Sequence, residues 1–425
     1  MGEQLRSIRG MPDLLPSDTS IWTEVERVVR GTLENYGFGE IRLPIIESTA
    51  VFARSIGDAT DIVQKEMYSF EDRNGEGLTL RPEGTASCVR AVLQHNLAAQ
   101  QSLKLWYHGP MFRYERPQRG RQRQFHQIGG EVFGLTGPDI DFELLLMLRR
   151  LWSQLHLEHI ELQVNSLGDA ETRKRYRETL VEYFHDHKDQ LDEDSLRRLD
   201  ANPLRILDSK NPQLSALIEG APKLLDHLSD PCREHFQAVT DGLSAAGLEF
   251  TVNPHLVRGL DYYSRTVFEW VTSALGAQGT VCAGGRYDDL VALMGGKPTP
   301  AVGFAMGIER LVELYRLSND TQEETADVFV LAAQEELSSD AILVAERIRN
   351  HQPHWRVLSH CGGGSLKTKF KKADRSGAKL AVILGADEWQ QQAVSVKPLR
   401  NDGAQVQIKL AELESQIDLL IPKSS

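Results

Sequence analysis

Apolar positions along the chain fall into runs whose spacing changes from helix-like to strand-like and back. Trp22, Val25, Val29, Leu33 and Tyr36 recur at helical spacing after Pro16-Ser17-Asp18, and Gly37 marks a stop. Residues 41–46 read as a short strand that Pro44 confines to a sheet edge or an interface. Residues 78–81 read as another, after which Pro82-Glu83-Gly84-Thr85 opens a helix with Thr85 as its N-cap. Residues 103–108, 111–116 and 125–133 read as successive strands. The last two flank the polar loop 117–124 and imply an antiparallel hairpin. A helix over 139–155 and a strand over 160–165 follow.

From 170 to about 246 the chain is charged, helix-forming and free of strand patterns, which predicts a helical insertion. Strands resume near Leu248 and are expected over 266–271 and 279–283; Gly303 to Gly307 then lead into a helix over 308–317. The acidic, polar stretch 318–325 reads as a linker. Beyond it strand and helix alternate: strands at 328–332, 355–359 and 380–384, helices to Asn350 and near Lys367. That rhythm predicts a small α/β domain with a mostly parallel sheet. The expectation is an α+β fold in two parts, 1–325 and 326–425.

Composition narrows the class. The 425 residues are 41% hydrophobic and 25% charged, as in ordinary globular chains, and they are too many for one core. Cys88, Cys232, Cys282 and Cys361 show no short pairing, so reduced thiols are expected and no structural zinc. The polar start lacks a signal-peptide core, and no apolar run approaches the ~20 residues that span a membrane, which predicts a cytoplasmic protein. A net charge of −12 argues against a general affinity for nucleic acid and leaves local basic patches as the route to RNA.

The densest patch holds Arg113, Arg116, Arg119, Arg121 and Arg123, on an expected strand and its hairpin loop, with Phe125 just beyond. The planar fork of arginine matches phosphate oxygens, and Phe125 could stack on a base. A second segment, Leu256-Val257-Arg258-Gly259-Leu260-Asp261-Tyr262-Tyr263, sets an arginine beside a glycine and two phenols. In a third, Ala283-Gly284-Gly285-Arg286-Tyr287-Asp288, glycines are expected to end a strand. A fourth, Gly303 to Arg310, is a glycine-rich strand feeding a helix. Arg310 in its first turn has the wrong sign for a helix N-terminus unless an anion sits there. No phosphate-loop or dinucleotide fingerprint is present, so a nucleotide would be held by arginines.

Arg42-Leu43-Pro44, Phe112-Arg113-Tyr114-Glu115 and Gly303 to Arg310 resemble the three signature motifs of class II aminoacyl-tRNA synthetases. Residues 256–263 and 283–288 look like the two peptides peculiar to histidyl-tRNA synthetases, and 80–85 and 125–131 are similar to further segments of that family. The resemblance runs from Ile8 to the final helix. It implies an antiparallel catalytic sheet flanked by helices, a helical insertion, an anticodon-binding α/β tail and a homodimer with Pro44 near its interface. It further implies a histidine–tRNA ligase that uses ATP with Mg2+ and no organic cofactor. The alternatives are a non-catalytic regulatory paralogue of ATP phosphoribosyltransferase and a class II synthetase for another amino acid.

By the same resemblance Arg113 holds the α-phosphate and the substrate carboxylate, and Arg258 approaches that phosphate from the other side. Arg310, Glu115 and Arg121 handle the outer phosphates and adenine, and Phe125 stacks on the base. An imidazole has two ring nitrogens, so a selective site needs a partner for each, and Glu131 and Tyr263 are the candidates. Glu83, Thr85 and Gln127 would grip the α-amino group, and Tyr262 would close the pocket. His126 reads as structural, and Asp261 as orienting the Arg258 loop. Arg116, Gln118 and Arg123 are expected to face the tRNA acceptor end, and Lys367, Lys369, Lys371, Lys372 and Arg375 form a second patch in the tail.

Overall fold

The structure, a computed structural model, describes residues 5–421 apart from 57–59, 61, 99–101, 119, 202, 208, 210, 259, 261, 277–278, 320–325 and 402. Arg119, Gly259, Asp261 and most of the expected linker therefore lie outside the described residues. The chain forms two compact units, Met1–Thr321 and Gln322–Ser425.

In the first unit α1 (Pro16–Asn35) begins with proline at its first turn and buries Trp22, Val25, Val29 and Leu33 on one face. Two short strands follow, β1 (Gly39–Glu40) and β2 (Ile46–Ser48), where one strand over 41–46 was expected. Pro44 has no N–H for a ladder. The carbonyls of Leu43 and Pro44 instead accept from the Arg81 guanidinium at 3.0 and 3.4 Å. After α2 (Thr49–Ile56), β3 (Tyr68–Glu71) and β4 (Gly77–Leu80) complete a three-stranded sheet, β2-β4-β3. Helix α3 (Thr85–Gln94) is capped by Glu83, whose carboxylate accepts from the N–H groups of Thr85 (2.6 Å) and Ala86 (2.9 Å). Thr85 is thus the first helical residue and not the N-cap.

One long strand, β5 (Leu103–Phe112), replaces the two expected over 103–116, and it pairs antiparallel with β6 (Gln124–Phe133). Arg113 lies just past its end, because Tyr114 N–H turns aside to Glu66 O at 2.7 Å. Then come α4 (Pro138–Gln154), β7 (Glu161–Ser166), the helices α5 (Ala170–Asp186), α6 (Glu193–Ala201), α7 (Ser215–Glu219) and α8 (Asp230–Ala245), and β8 (Phe250–Val252). β9 (Ser264–Val271), β10 (Thr280–Arg286), α9 (Leu290–Leu293), β11 (Ala301–Gly307) and α10 (Ile308–Ser318) finish the unit. Gly284 and Gly285 do not end a strand: β10 runs through them, bonded to β9 on one side and β11 on the other.

The main sheet has the order β1-β5-β6-β11-β10-β9-β7-β8, antiparallel except at its two edge pairs. Period-two alternation splits its faces. Ile128, Val132, Phe268, Val302, Phe304 and Met306 point into one core with α1, α4, α8 and α10. Tyr107, Phe133 and Val267 point to the other face, where a second core includes residues of α3, α5 and α6. The two faces are joined near the end of β10. There fully buried Arg286 donates to Asp141 of α4 (2.6 Å), Leu135 O (2.6 Å) and Gly137 O (3.2 Å), and its Nε reaches Asp288 (3.2 Å).

The second unit has the sheet order β13-β12-β14-β15-β16. β12 (Val328–Ala332), β13 (Val357–Ser359) and β14 (Leu380–Leu384) are parallel, joined through α11 (Ser338–His351) and α12 (Leu366–Arg375). Past α13 (Ala386–Gln390), strands β15 (Ala393–Pro398) and β16 (Val406–Lys409) add antiparallel, before α14 (Leu413–Leu420). The sheet is therefore parallel on one side only: β15 returns antiparallel to β14 after the short α13, and β16 pairs antiparallel with β15.

Removing one partner of a buried pair leaves an unpaired charge, which costs about 3–5 kcal/mol. Arg286→Ala is expected to lower the unfolding free energy of the first unit by that amount in chemical denaturation. An unchanged midpoint would show that the staple is dispensable.

Candidate active site

The pocket-side residues of β11 are small: Gly303, Ala305 and Gly307. A Cβ on Gly303 would lie 1.7 Å from Glu131 Oε2, and one on Gly284 would lie 2.1 Å from Gly303 O. Side chains are missing where a carboxylate and a neighbouring strand must come close. Over this floor opens a cavity of about 360 Å³. Every residue expected to bind histidine or ATP borders it: Glu83, Thr85, Arg113, Glu115, Arg121, Phe125, Gln127, Glu131, Arg258, Tyr262, Tyr263 and Arg310.

One end is built around a buried carboxylate. Glu131, on β6, accepts from Thr85 Oγ1 (2.7 Å), Tyr107 OH (3.0 Å) and Tyr287 OH (2.5 Å). Burial pushes its carboxyl up to about 8, against the pull of those hydroxyl donors. Burial also raises Glu83, opposed by the two amides it caps. Tyr262 packs against both Tyr263 and Tyr287, at ring separations of 4.8 and 5.6 Å. Gln127 Oε1 is buried with no partner among the described residues, an acceptor open to a ligand N–H.

The other end is cationic. Arg113 donates to Pro82 O at 2.9 Å and lies over the Phe125 ring at 5.2 Å. Arg258 pairs with Glu269 and sits 5.7 Å from the Tyr263 ring. Arg310 donates to Thr280 O (2.5 Å) and Gly120 O (3.3 Å). Arg121 pairs with Glu115. Burial lowers the Arg113 and Arg310 pKa values; Arg121 and Arg113 push Arg310 further in that direction, while Glu66 and Glu83 oppose it at Arg113. His126 faces the opposite side, where its ring and backbone N–H meet Glu309 at 3.1 and 2.9 Å and its ring edges Trp22 at 5.1 Å.

Arg116, Gln118 and Arg123 are not among the residues bordering the cavity. Arg116 and Gln118 are exposed on the hairpin loop. Arg123 lies 4.0 Å over the Tyr114 ring and donates to Glu115 O at 3.1 Å. On α12 in the second unit, Lys367, Lys371, Lys372 and Arg375 are exposed, but Lys369 is buried with Nζ on Ala332 O at 2.8 Å.

Sequence reasoning assigned no role to Tyr107, Tyr287, Thr280, Glu269 or Glu309. Tyr287 sits inside a segment already singled out, beside the stapled Arg286. Tyr107 is placed by the β5–β6 register, in which it pairs with Gly129. Glu269 and Thr280 likewise need the strand register, whereas Glu309 sits in the first turn of α10, inside the Gly303 to Arg310 segment already singled out. Among the described residues, no group of three or more His, Cys, Asp or Glu side chains is placed to hold a metal ion.

Comparison with known proteins identifies the family. The family described as histidyl-tRNA synthetase matches residues 10–311, and that described as anticodon binding domain matches 327–418. The chain is 53% identical to the histidine–tRNA ligase of Hydrogenovibrio crunogenus over 425 residues, 100% of both chains. It resembles the apo histidyl-tRNA synthetase of S. aureus with a TM-score of 0.82 at 32% identity, covering 97% of this chain and 100% of that one. A Bacillus halodurans chain described as an ATP phosphoribosyltransferase regulatory subunit/histidyl-tRNA synthetase shares the fold, with a TM-score of 0.66 at 19% identity over 91% of this chain and 100% of that one. The chain belongs to the histidyl-tRNA synthetase family.

Proposed function

We infer that this chain is a histidine–tRNA ligase: it joins histidine to ATP as histidyl-adenylate, releasing pyrophosphate, and passes the acyl group to the terminal adenosine of its tRNA. The observation that carries the reading is one cavity with a hydroxyl-bound carboxylate at one end and four arginines at the other. Full-length identity of 53% to a histidine–tRNA ligase favours it over a regulatory paralogue or a synthetase for another amino acid.

Each side chain has a task in that reaction. The imidazole lies between Glu131 and Tyr263, with Tyr107, Tyr287 and Thr85 fixing the carboxylate. Glu83, Thr85 and Gln127 receive the α-amino group, and Tyr262 walls the pocket. A site that hydrogen-bonds a ring N–H rejects analogues lacking it by about 10⁴-fold, because its buried polar groups would be left unpaired. Attack by the histidine carboxylate builds negative charge at the α-phosphate, which Arg113 and Arg258 flank. Arg310, Arg121 and Glu115 take the outer phosphates and adenine, and Phe125 stacks on the base. Mg2+ arrives as part of the nucleotide substrate. Exposed Arg116 and Gln118 meet the acceptor end of the tRNA, with Arg123 contributing through the shape of their loop.

We assign catalysis to residues 1–325, with a helical insertion over about 170–246, and anticodon binding to 326–425. Dimerisation near Pro44 is supported by Ile45, Ile46, Phe70 and Tyr114, all roughly half exposed on or against the small sheet. Among the described residues no helix is long and apolar enough to cross a membrane, in keeping with a cytoplasmic enzyme.

Exchange of labelled pyrophosphate into ATP should depend on histidine alone among the twenty amino acids, and Arg258→Ala should slow it about 10²- to 10³-fold. Exchange with another amino acid would overturn the pocket assignment. In the same preparations Arg116→Ala should depress tRNA charging while leaving exchange intact; equal losses would remove that arginine from the tRNA surface.

Glu131 also gives a pH signature. Its pKa is 4.5 before perturbation and about 8 in the fold, so between those values the folded chain holds a proton that the unfolded chain has lost. Its contribution is full at low pH and disappears as pH rises through that window. The melting temperature of the ligand-free chain should therefore fall from about pH 5 to 8, and less steeply in Glu131→Gln. Parallel slopes would show that Glu131 is already ionised.

A further inference from the structure

Arg258 is the cation on which the proposed chemistry leans most, yet among the described residues it belongs to no helix or strand. What fixes it is a carboxylate from elsewhere. Glu269 lies in the middle of β9, paired with Ala283 of β10 and Gln163 of β7, so its backbone is held from both sides. One of its oxygens takes an N–H of Arg258. The other accepts from Thr280 Oγ1 at 3.1 Å. Thr280 in turn offers its carbonyl to Arg310. Arg258, Thr280 and Arg310 all border the cavity, whereas Glu269 stands behind them.

This arrangement is asymmetric in a useful way. Glu269 engages one terminal nitrogen of Arg258, while the buried Nε has no hydrogen-bond partner among the described residues. A buried donor left unmade is costly unless a ligand completes it. The ion pair thus pins the guanidinium at one edge and leaves donor capacity for an incoming oxyanion. Both partners are about one-fifth exposed, so the pair is screened less than a surface bridge. Without the carboxylate the arginine could still reach the cavity, but neither its direction nor its plane would be set.

We propose that Glu269, steadied by Thr280, is a positioning residue that aims Arg258 at the α-phosphate. It rests on the ligase reading and adds to it a residue that touches no substrate. Misplacement of a reacting group by about 1 Å costs on the order of 10²-fold in rate. The consequence of losing Glu269 should therefore fall on turnover and spare binding.

The test is Glu269→Gln in histidine-dependent pyrophosphate exchange, normalised to active sites, in wild-type and Arg258→Lys backgrounds. The expected result is a fall in kcat of about ten- to hundredfold, with KM for histidine and for ATP within about twofold, and no further fall when Arg258 is already lysine. Unchanged kcat in folded Glu269→Gln overturns the proposal. So does an equal loss in the Arg258→Lys background, which would mean that Glu269 acts independently of the arginine. If Glu269→Gln does not fold, Thr280→Val removes one anchor only; a several-fold kcat loss that vanishes with Arg258→Lys supports the proposal, and no loss overturns it. A wild-type chain that shows no histidine-dependent exchange sinks the ligase reading itself, a result distinct from these.

Discussion

The active-site end of this chain is organised by the need to keep one carboxylate, Glu131, inside a sheet. Burial makes its charge expensive, so hydroxyls must converge on it, and each brings its own structural demand. Thr85 reaches Glu131 because α3 starts where Glu83 caps it. Tyr107 crosses so close to Gly84 and Gly129 that a Cβ on either would lie 2.1 or 2.3 Å from its ring. Tyr287 is delivered by its neighbour Arg286, which ties the end of β10 to α4. Gly303 is bare because Glu131 lies over it. Gly84, Gly129 and Gly303 are the clearance this constellation needs.

The cationic end follows a different logic. Arginines there are anchored by carbonyls or carboxylates: Arg113 by Pro82 O, Arg310 by Thr280 O and Gly120 O, Arg258 by Glu269, Arg121 by Glu115. At Arg113, Arg258 and Arg121 each anchor uses part of a guanidinium, and in the proposed reaction the rest meets phosphate oxygens. Such a site stabilises charge in the transition state by preorganisation, which suits adenylation, a reaction with little proton transfer for the protein to carry out. A polar pocket for the side chain joined to a cluster of cations for the nucleotide is what a histidine–tRNA ligase requires of its own residues.

Much of this was legible in the sequence, and most of the misses concern strand register. Helical periodicity located α1, α4 and α11 because their buried positions repeat over several turns. Residues that border the cavity were found where motifs concentrate unusual chemistry, as at Arg113 and at Tyr262-Tyr263. Long-range register was invisible. Nothing local says that β5 continues through Gly109-Pro110, or that Gly284 and Gly285 lie mid-strand. The partners fixed by register, Glu269 to Arg258 and Tyr107 to Glu131, were missed for that reason. Thr85 was misread as a cap because Glu83, two residues earlier, reaches the same amides. The antiparallel end of the second sheet was missed because strand–helix alternation stops at β14.

A crystal structure of the chain with histidine and a non-hydrolysable ATP analogue would test the assignment most directly. The account predicts one imidazole nitrogen within about 3 Å of a Glu131 oxygen and the other at Tyr263, with the α-phosphate between Arg113 and Arg258. An imidazole turned away from Glu131, or an α-phosphate outside the reach of both arginines, would contradict it.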